Sequence, residues 1–196
     1  MTLYEFDASY PCNVICGTDE AGRGPLAGPV FAAAVILDKN NIIEGINDSK
    51  KLSEKKREEI YEKIKESAVA YCVAYVDEKE IDEINILNAS MLAMRKAVLG
   101  LGITPDMVLV DGNRTPDLDA IPAEAVVKGD AKSASIAAAS ILAKVERDRF
   151  MLRLHEEYPM YRFDKHKGYP TKLHYEAIAK YGITDAHRKT FLKNIL

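Results

Sequence analysis

Residues 134–145, Ala-Ser-Ile-Ala-Ala-Ala-Ser-Ile-Leu-Ala-Lys-Val, limit the fold of this chain more than any other segment. They are apolar on nearly every face of a helix, so the helix predicted from 131 to about 157 lies deep in the protein over this stretch. Other segments must cover it. A short apolar run at 13–18 and the Val-, Ile- and Ala-rich run 31–37 read as strands joined by the Gly- and Pro-rich connection 21–29. Ser53 is placed as the N-cap of a charged amphipathic helix ending near 66. Residues 68–76 alternate as a third strand, with Tyr71, Val73 and Tyr75 on one side. Residues 81–99 read as helical with a break near 85–88, 107–110 as a buried strand ahead of Asp111-Gly112, and 123–127 as a short strand. The tail carries one helix after Thr171 and another near Ala186. Strands first, then alternating helices and strands, predict an α/β protein with a mixed sheet and helices packed on it.

A chain of 196 residues is about one domain in length. At that size roughly 70% of the surface is buried on folding, enough for a core without covalent staples. The three cysteines, Cys12, Cys16 and Cys72, show no pairing pattern and have no histidine cluster beside them, which favours a reducing compartment. The N-terminus lacks the basic and apolar regions of a signal peptide. The longest apolar stretch, 30–37, is far too short to cross a bilayer. A cytoplasmic protein without membrane attachment is expected.

The net charge of −3 excludes a uniformly basic coat but not a basic patch. Residues 160–196 hold 8 Lys/Arg against 3 Asp/Glu, and three of the four histidines. A basic C-terminal surface on an acidic protein suits a polyanionic partner better than a membrane, although a solvated helix face has the same composition.

Three apolar segments end in acid: 14–18 before Asp19-Glu20, 107–110 before Asp111, and 126–129 before Asp130. Carboxylates at strand ends can converge on one patch of a sheet, where they repel unless a cation lies between them. With no Cys or His alongside, the natural occupant is a hard ion, Mg²⁺ or Mn²⁺. Two such ions about 3.5–4 Å apart would clamp the attacking and leaving oxygens of a phosphodiester. Taken singly, Asp111 is equally a turn residue and Asp130 equally a helix N-cap. Asp19 and Glu20 face opposite sides of a regular strand, so serving one site requires a bend at Glu20. Asp148 lies about 27 Å along the helix from Asp130, cannot share its metal, and is expected to pair with Arg147 or Lys144. The segment Gly22-Arg23-Gly24-Pro25-Leu26-Ala27-Gly28-Pro29 is no P-loop. Its glycines let backbone approach a sugar closely enough to read a 2′-hydroxyl.

Six motifs now fall in order: Asp19-Glu20-Ala21-Gly22-Arg23-Gly24, Asp48-Ser49-Lys50-Lys51-Leu52, Leu109-Val110-Asp111-Gly112-Asn113-Arg114, Lys128-Gly129-Asp130-Ala131-Lys132-Ser133, Ala137-Ala138-Ala139-Ser140-Ile141 and His166-Lys167-Gly168-Tyr169. In this order the chain resembles the bacterial ribonuclease HII family over roughly residues 13–191. The resemblance implies a ribonuclease H-like mixed sheet flanked by helices, with a small helical C-terminal portion. It implies one catalytic domain over 1–196, with a core at about 13–157 and a substrate-binding portion at about 158–196. It implies that Asp19, Glu20, Asp111 and Asp130 are the catalytic metal-binding acids. Gly22, Arg23 and Gly24 match the ribose-sensing loop and Tyr169 the tyrosine at the RNA–DNA junction. Lys50, Lys51 and Lys132 fall near the substrate backbone.

The implied activity is endonucleolytic cleavage of RNA in RNA–DNA hybrids, and 5′ to ribonucleotides embedded in duplex DNA, by two-metal hydrolysis leaving a 3′-hydroxyl and a 5′-phosphate. A monomer is expected. The family often shows Gly-Pro ahead of His-Arg-x-Ser-Phe; here the stretch runs Gly182-Ile183 through His187-Arg188-Lys189-Thr190-Phe191, which leaves the roles of His187 and Arg188 open. The sequence contains no glutamine, so a glutamine-led sliding-clamp peptide is absent. The rival readings are a non-catalytic nucleic-acid-binding module on the same fold, which binds with salt sensitivity but cuts nothing, and a Mg²⁺-dependent small-molecule phosphatase, which leaves the glycine loop and basic tail unused.

Overall fold

Val30–Ile36 (β2) is Val-Phe-Ala-Ala-Ala-Val-Ile, a run without a polar side chain, and all of it is buried. Such a strand needs cover on both faces of its sheet, and a computed structural model shows what supplies it. It describes residues 1–47 and 49–193; Asp48 and the side chain of Lys50, both in the lysine motif, lie outside the described residues, as do residues 194–196. β2 pairs antiparallel with Ile15–Ala21 (β1) on one side and Ala70–Val76 (β3) on the other. Met107–Asp111 (β4) and Ala123–Val126 (β5) run parallel to β1, giving the order β3-β2-β1-β4-β5. This is the mixed sheet that the element order predicts.

Ala134–Glu157 (α5) covers one face, with Ala137, Ala138, Ile141 and Leu142 in the same cluster as Ala33 and Val35; Glu54–Ser67 (α2) joins that cluster through Ile60, Tyr61 and Ile64. Held between sheet and helix, α5 is apolar all round because both sides of it are buried. Gly17 on β1 permits the close approach, since a Cβ there would lie 2.1 Å from the Ser135 carbonyl carbon. Ile86–Leu99 (α4) covers the opposite face, packing Ala89, Ala93, Met94 and Ala97 with Val30, Ala32, Ala34, Val108 and Val110. The predicted break near 85–88 is real: Asn85, at φ 67, ends Glu78–Ile84 (α3), and its side chain accepts the amides of Leu87 and Asn88. Ser53 caps α2 as expected.

Two boundaries differ from expectation. α5 starts at Ala134 rather than 131, because Gly129–Ala131 forms a 3₁₀ turn and Ser133 is the N-cap, accepting the Ile136 amide. Asp130 is therefore not the cap. The helix expected near Ala186 is reduced to a 3₁₀ turn at Lys189–Phe191, and Ala186 itself is not helical. Residues 186–188 instead pair with the glycine-rich connection: the Gly28 amide donates to the Ala186 carbonyl (2.9 Å) and the Arg188 amide to the Leu26 carbonyl (2.8 Å). Extended pairing to a loop already in place satisfies backbone groups that a helix would otherwise have to satisfy alone. Beyond Tyr158, Phe163–His166 (α6) and Lys172–Tyr181 (α7) close a small cluster, with Met151, Tyr161, Phe163 and Ile178 packed around Leu26 and Ala27. Leu3–Ala8 (α1), which the sequence reading missed, opens with a capping box between Thr2 and Glu5. Among the described residues no helix is long and apolar enough to cross a membrane, and Cys12, Cys16 and Cys72 are free thiols.

Candidate active site

The site begins where β1 outruns its neighbour. Pairing with β4 stops at Thr18↔Val110, while pairing with β2 continues unbroken to Ala21↔Phe31. The ladder to β2 therefore runs past Glu20 without a break, and the chain leaves the strand at Gly22, φ 103. Asp111 ends β4 level with Asp19 in this register, so past that point the β4 side of β1 is open and both acids come under the influence of Asp111.

Asp19 is only 4% exposed. It accepts the Glu20 amide at 2.7 Å and a hydrogen bond from the Ser140 side chain on α5. Burial holds its carboxyl well above the usual carboxylate range, and the charges of Glu20 and Asp111 push it further. Burial also raises Glu20; Arg23, with its guanidinium 3.5 Å away, acts against that rise and Asp111 adds to it. Asp111 is more than a turn residue. Its carboxylate accepts the amides of Gly129 (2.7 Å) and Asp130 (3.3 Å), which ties the end of β4 to the 3₁₀ turn and brings the buried Asp130 beside it.

Such an all-oxygen set of carboxylates, in which Asp111 raises the cost of ionising Asp19 and Glu20, fits a hard divalent cation. Among the described residues no three acidic, histidine or cysteine side chains already close into a cage. The acids stand within each other's field as an open set of donors.

A cleft of about 220 Å³ joins Glu20, residues 22–24, Ser49, Ser140, Lys144 and Tyr169. Its glycine loop is held from beneath by two arginines that the sequence reading did not single out for this role. Arg147 donates to the carbonyls of Pro29 (3.1 Å), Ala27 (3.2 Å) and Lys167 (3.0 Å). Arg188 donates to those of Gly28 (2.9 and 2.7 Å), Arg23 (3.0 Å) and Gly22 (2.7 Å). Both are fully buried. Burial lowers both guanidinium pKa values, that of Arg188 to about 9, with the Arg147 charge adding to the effect. Gly22 is required here because a Cβ would meet Arg147 Nε at 2.1 Å. No sequence signal marks Arg147, which lies just past the apolar stretch 134–145.

Asp148 pairs with Lys144 (2.7 Å) and faces Arg57 at 3.9 Å, not Arg147, whose guanidinium is committed to carbonyls. Ser49 is bound to Ser140 (2.9 Å) and its carbonyl accepts from Arg57 (3.0 Å), which fixes Ser49 at the edge of the cleft. Lys51 and Lys132 are exposed and do not line the cleft. A second cavity, about 250 Å³, lies under α1 against Ile15 and Leu37 at the far end of the sheet and holds none of the predicted residues.

A family model described as Ribonuclease HII matches residues 16–194. Ribonuclease HII of Caldicellulosiruptor saccharolyticus is 61% identical over 182 residues, covering 93% of this chain and 88% of that protein. The crystal structure of ribonuclease H2 from Pyrococcus horikoshii OT3 superposes with a TM-score of 0.76 at 32% identity, covering 91% of this chain and 93% of that one. A Bst-RNase HIII structure in complex with Mn²⁺ gives a TM-score of 0.78 at 19% identity, covering 96% of this chain and 70% of that one, and so shares the fold.

Proposed function

This chain belongs to the ribonuclease HII family, a family of nucleases, and from that premise we propose that it cuts RNA–DNA hybrids and DNA containing ribonucleotides, hydrolysing the bond 5′ to a ribonucleotide. The observation that carries this reading is the meeting of three features at one strand end: mutually repelling Asp19, Glu20 and Asp111, the glycine loop, and Tyr169 in the same cleft. Divalent ions, Mg²⁺ or Mn²⁺ and two during catalysis, supply Lewis-acid stabilisation of the attacking and leaving oxygens when bound. Asp19, Glu20, Asp111 and Asp130 are the residues that hold them.

The chain's own groups orient the substrate. Backbone of Gly22, Arg23 and Gly24, with the Gly22 and Arg23 carbonyls held by Arg188, meets the 2′-hydroxyl. Tyr169, 39% exposed above the cleft, packs on the deoxyribose of the following nucleotide. Lys50, Lys51 and Lys132 neutralise backbone phosphates. Residues 13–157 form the catalytic core and residues 158–196 the substrate-binding wall of a single domain acting as a monomer. Free thiols at all three cysteines suit the cytoplasm.

The test is a labelled DNA duplex carrying one ribonucleotide, incubated with Mg²⁺, Mn²⁺ or EDTA. A single cut with a 3′-hydroxyl and a 5′-phosphate, in metal only, is the expected result. Salt-sensitive binding without any cut would favour a non-catalytic module instead.

A further inference from the structure

The Lys167-Gly168-Tyr169 turn is held in an unusual backbone state. Lys167 and Gly168 both have positive φ, 49° and 84°, and a Cβ on Gly168 would meet the Ala27 carbonyl oxygen at 2.5 Å. Three consecutive carbonyls of this turn find partners from different parts of the chain. That of Lys167 accepts from Arg147 (3.0 Å), that of Gly168 from the Leu26 amide (2.8 Å), and that of Tyr169 from the Thr171 amide (2.8 Å) and from His174 Nδ1 (3.1 Å).

His174 is itself oriented by a second buried histidine, and the hydrogen bonds fix where every proton lies. The Thr184 amide can only donate, and it points at His187 Nδ1 (3.0 Å). A neutral His187 must then carry its proton on Nε2. That nitrogen lies 3.2 Å from His174 Nε2, which therefore accepts, leaving the proton of His174 on Nδ1, where it is donated to the Tyr169 carbonyl. The third histidine agrees: His166 Nδ1 accepts the Gly168 amide (3.2 Å) and its Nε2 donates to the Tyr161 carbonyl (2.8 Å). His166 also stacks on His174, ring centroids 4.5 Å apart. Burial keeps His174 and His187 neutral by lowering both to about 4.

We propose that His174, locked in one tautomer by His187, is a positioning residue that sets the backbone of Tyr169 and so the placement of its ring in the cleft. The inference rests on the reading that Tyr169 meets the sugar next to the ribonucleotide, and it gives the His187 segment a specificity role. The Thr184–His187–His174–Tyr169 relay crosses from the loop after α7 to the substrate-facing turn, where the Tyr169 ring lies beside Gly24 and 5.7 Å from the Arg147 guanidinium.

Two measurements on the full chain test it. Histidine nitrogen NMR of the wild-type protein is expected to show His187 protonated on Nε2 and His174 on Nδ1, both neutral near neutral pH. A charged ring, or the opposite tautomers, overturns the relay whatever the enzyme cuts. The second measurement is the ratio of kcat/KM on a single embedded ribonucleotide to that on a continuous RNA–DNA hybrid. His174→Leu, which lacks the donor, is expected to lower this ratio by about tenfold, the scale of one hydrogen bond. His174→Asn, whose amide nitrogen stands in for Nδ1, is expected to keep it near wild type. Equal falls in both variants, or no fall in either while Tyr169→Ala does lower the ratio, overturn the positioning role. If Tyr169→Ala itself leaves the ratio unchanged, the reading of Tyr169 fails, and the positioning role built on it falls too.

Discussion

Replacing Arg188 with leucine removes a guanidinium that donates to the carbonyls of Gly22, Arg23 and Gly28 from a fully buried position. A buried carbonyl left without a donor costs about 1–3 kcal/mol, so the three, that of Arg23 being only part-buried, cost at most about 3–9 kcal/mol. Leucine also relieves the burial of a charge, an expense already visible in the lowering of Arg188 to about 9, and that relief returns several kcal/mol. The net loss is on the order of 3 kcal/mol. For a domain of this length each kcal/mol moves Tm by about 2–4 °C, so Arg188→Leu is expected to melt about 6–12 °C below wild type. Scanning calorimetry near neutral pH measures this directly. Arg188→Lys recovers only part of the loss, because one ammonium cannot span three carbonyls as the planar fork does. Cleavage falls in both variants, since the loop that carries Gly22 and Arg23 loses its support. A leucine variant melting within about 1 °C of wild type would refute the argument that the guanidinium holds the loop.

Tyr169→Ala should reduce cutting at a single embedded ribonucleotide at least about tenfold more than cutting within continuous RNA, with little change in Tm because the ring is half-exposed; equal losses on both substrates sink the assignment. His174 and His187, lowered to about 4 by burial, bind fewer protons folded than unfolded between that value and the ordinary histidine range near 6.5. Their contribution to stability is thus complete above about pH 6.5 and is lost as pH falls toward 4, on the order of a few kcal/mol for the pair. Urea unfolding across that window checks the slope, which should flatten in a variant lacking both rings. Neutralising Lys165 and Lys167 together should reduce the slope of log affinity against log salt by about 1–2, and an unchanged slope would move the nucleic-acid groove elsewhere.

Much of this architecture is legible in the sequence because it rests on local rules. β2 reads as a doubly covered strand because none of its side chains is polar, and α2 starts where Ser53 offers a cap. The break between α3 and α4 shows as an Asn that tolerates positive φ. The acids are visible because apolar strands end in them. What escapes is decided between segments distant in the chain. The stretch around Ala186 has helix-compatible composition, yet residues 26–28 offer a pairing edge and extended backbone wins. Asp19 and Glu20 both feel Asp111 because β4 ends level with Asp19, a fact about register that no single strand carries. Arg147 and Arg188 look like surface charges until their carbonyl partners, most of them more than 100 residues away in the chain, are in place. The tautomers of His174 and His187 likewise depend on backbone groups contributed by two separate turns.

On the proposed reading, the carboxylates at the open end of β1 and β4 would hold the divalent ions on which cleavage depends. Asp111→Asn keeps size and shape, and its amide oxygen can still accept the Gly129 amide, but it removes one charge from the donor set. Mn²⁺ titration followed by electron paramagnetic resonance, run beside cleavage of the single-ribonucleotide duplex on the same samples, reads binding and chemistry together. The variant is expected to melt close to wild type, to bind Mn²⁺ much more weakly and to lose cleavage. A variant that takes up Mn²⁺ and cuts as the wild type does would show that Asp111 serves only to join β4 to the turn at Gly129, and would contradict the site.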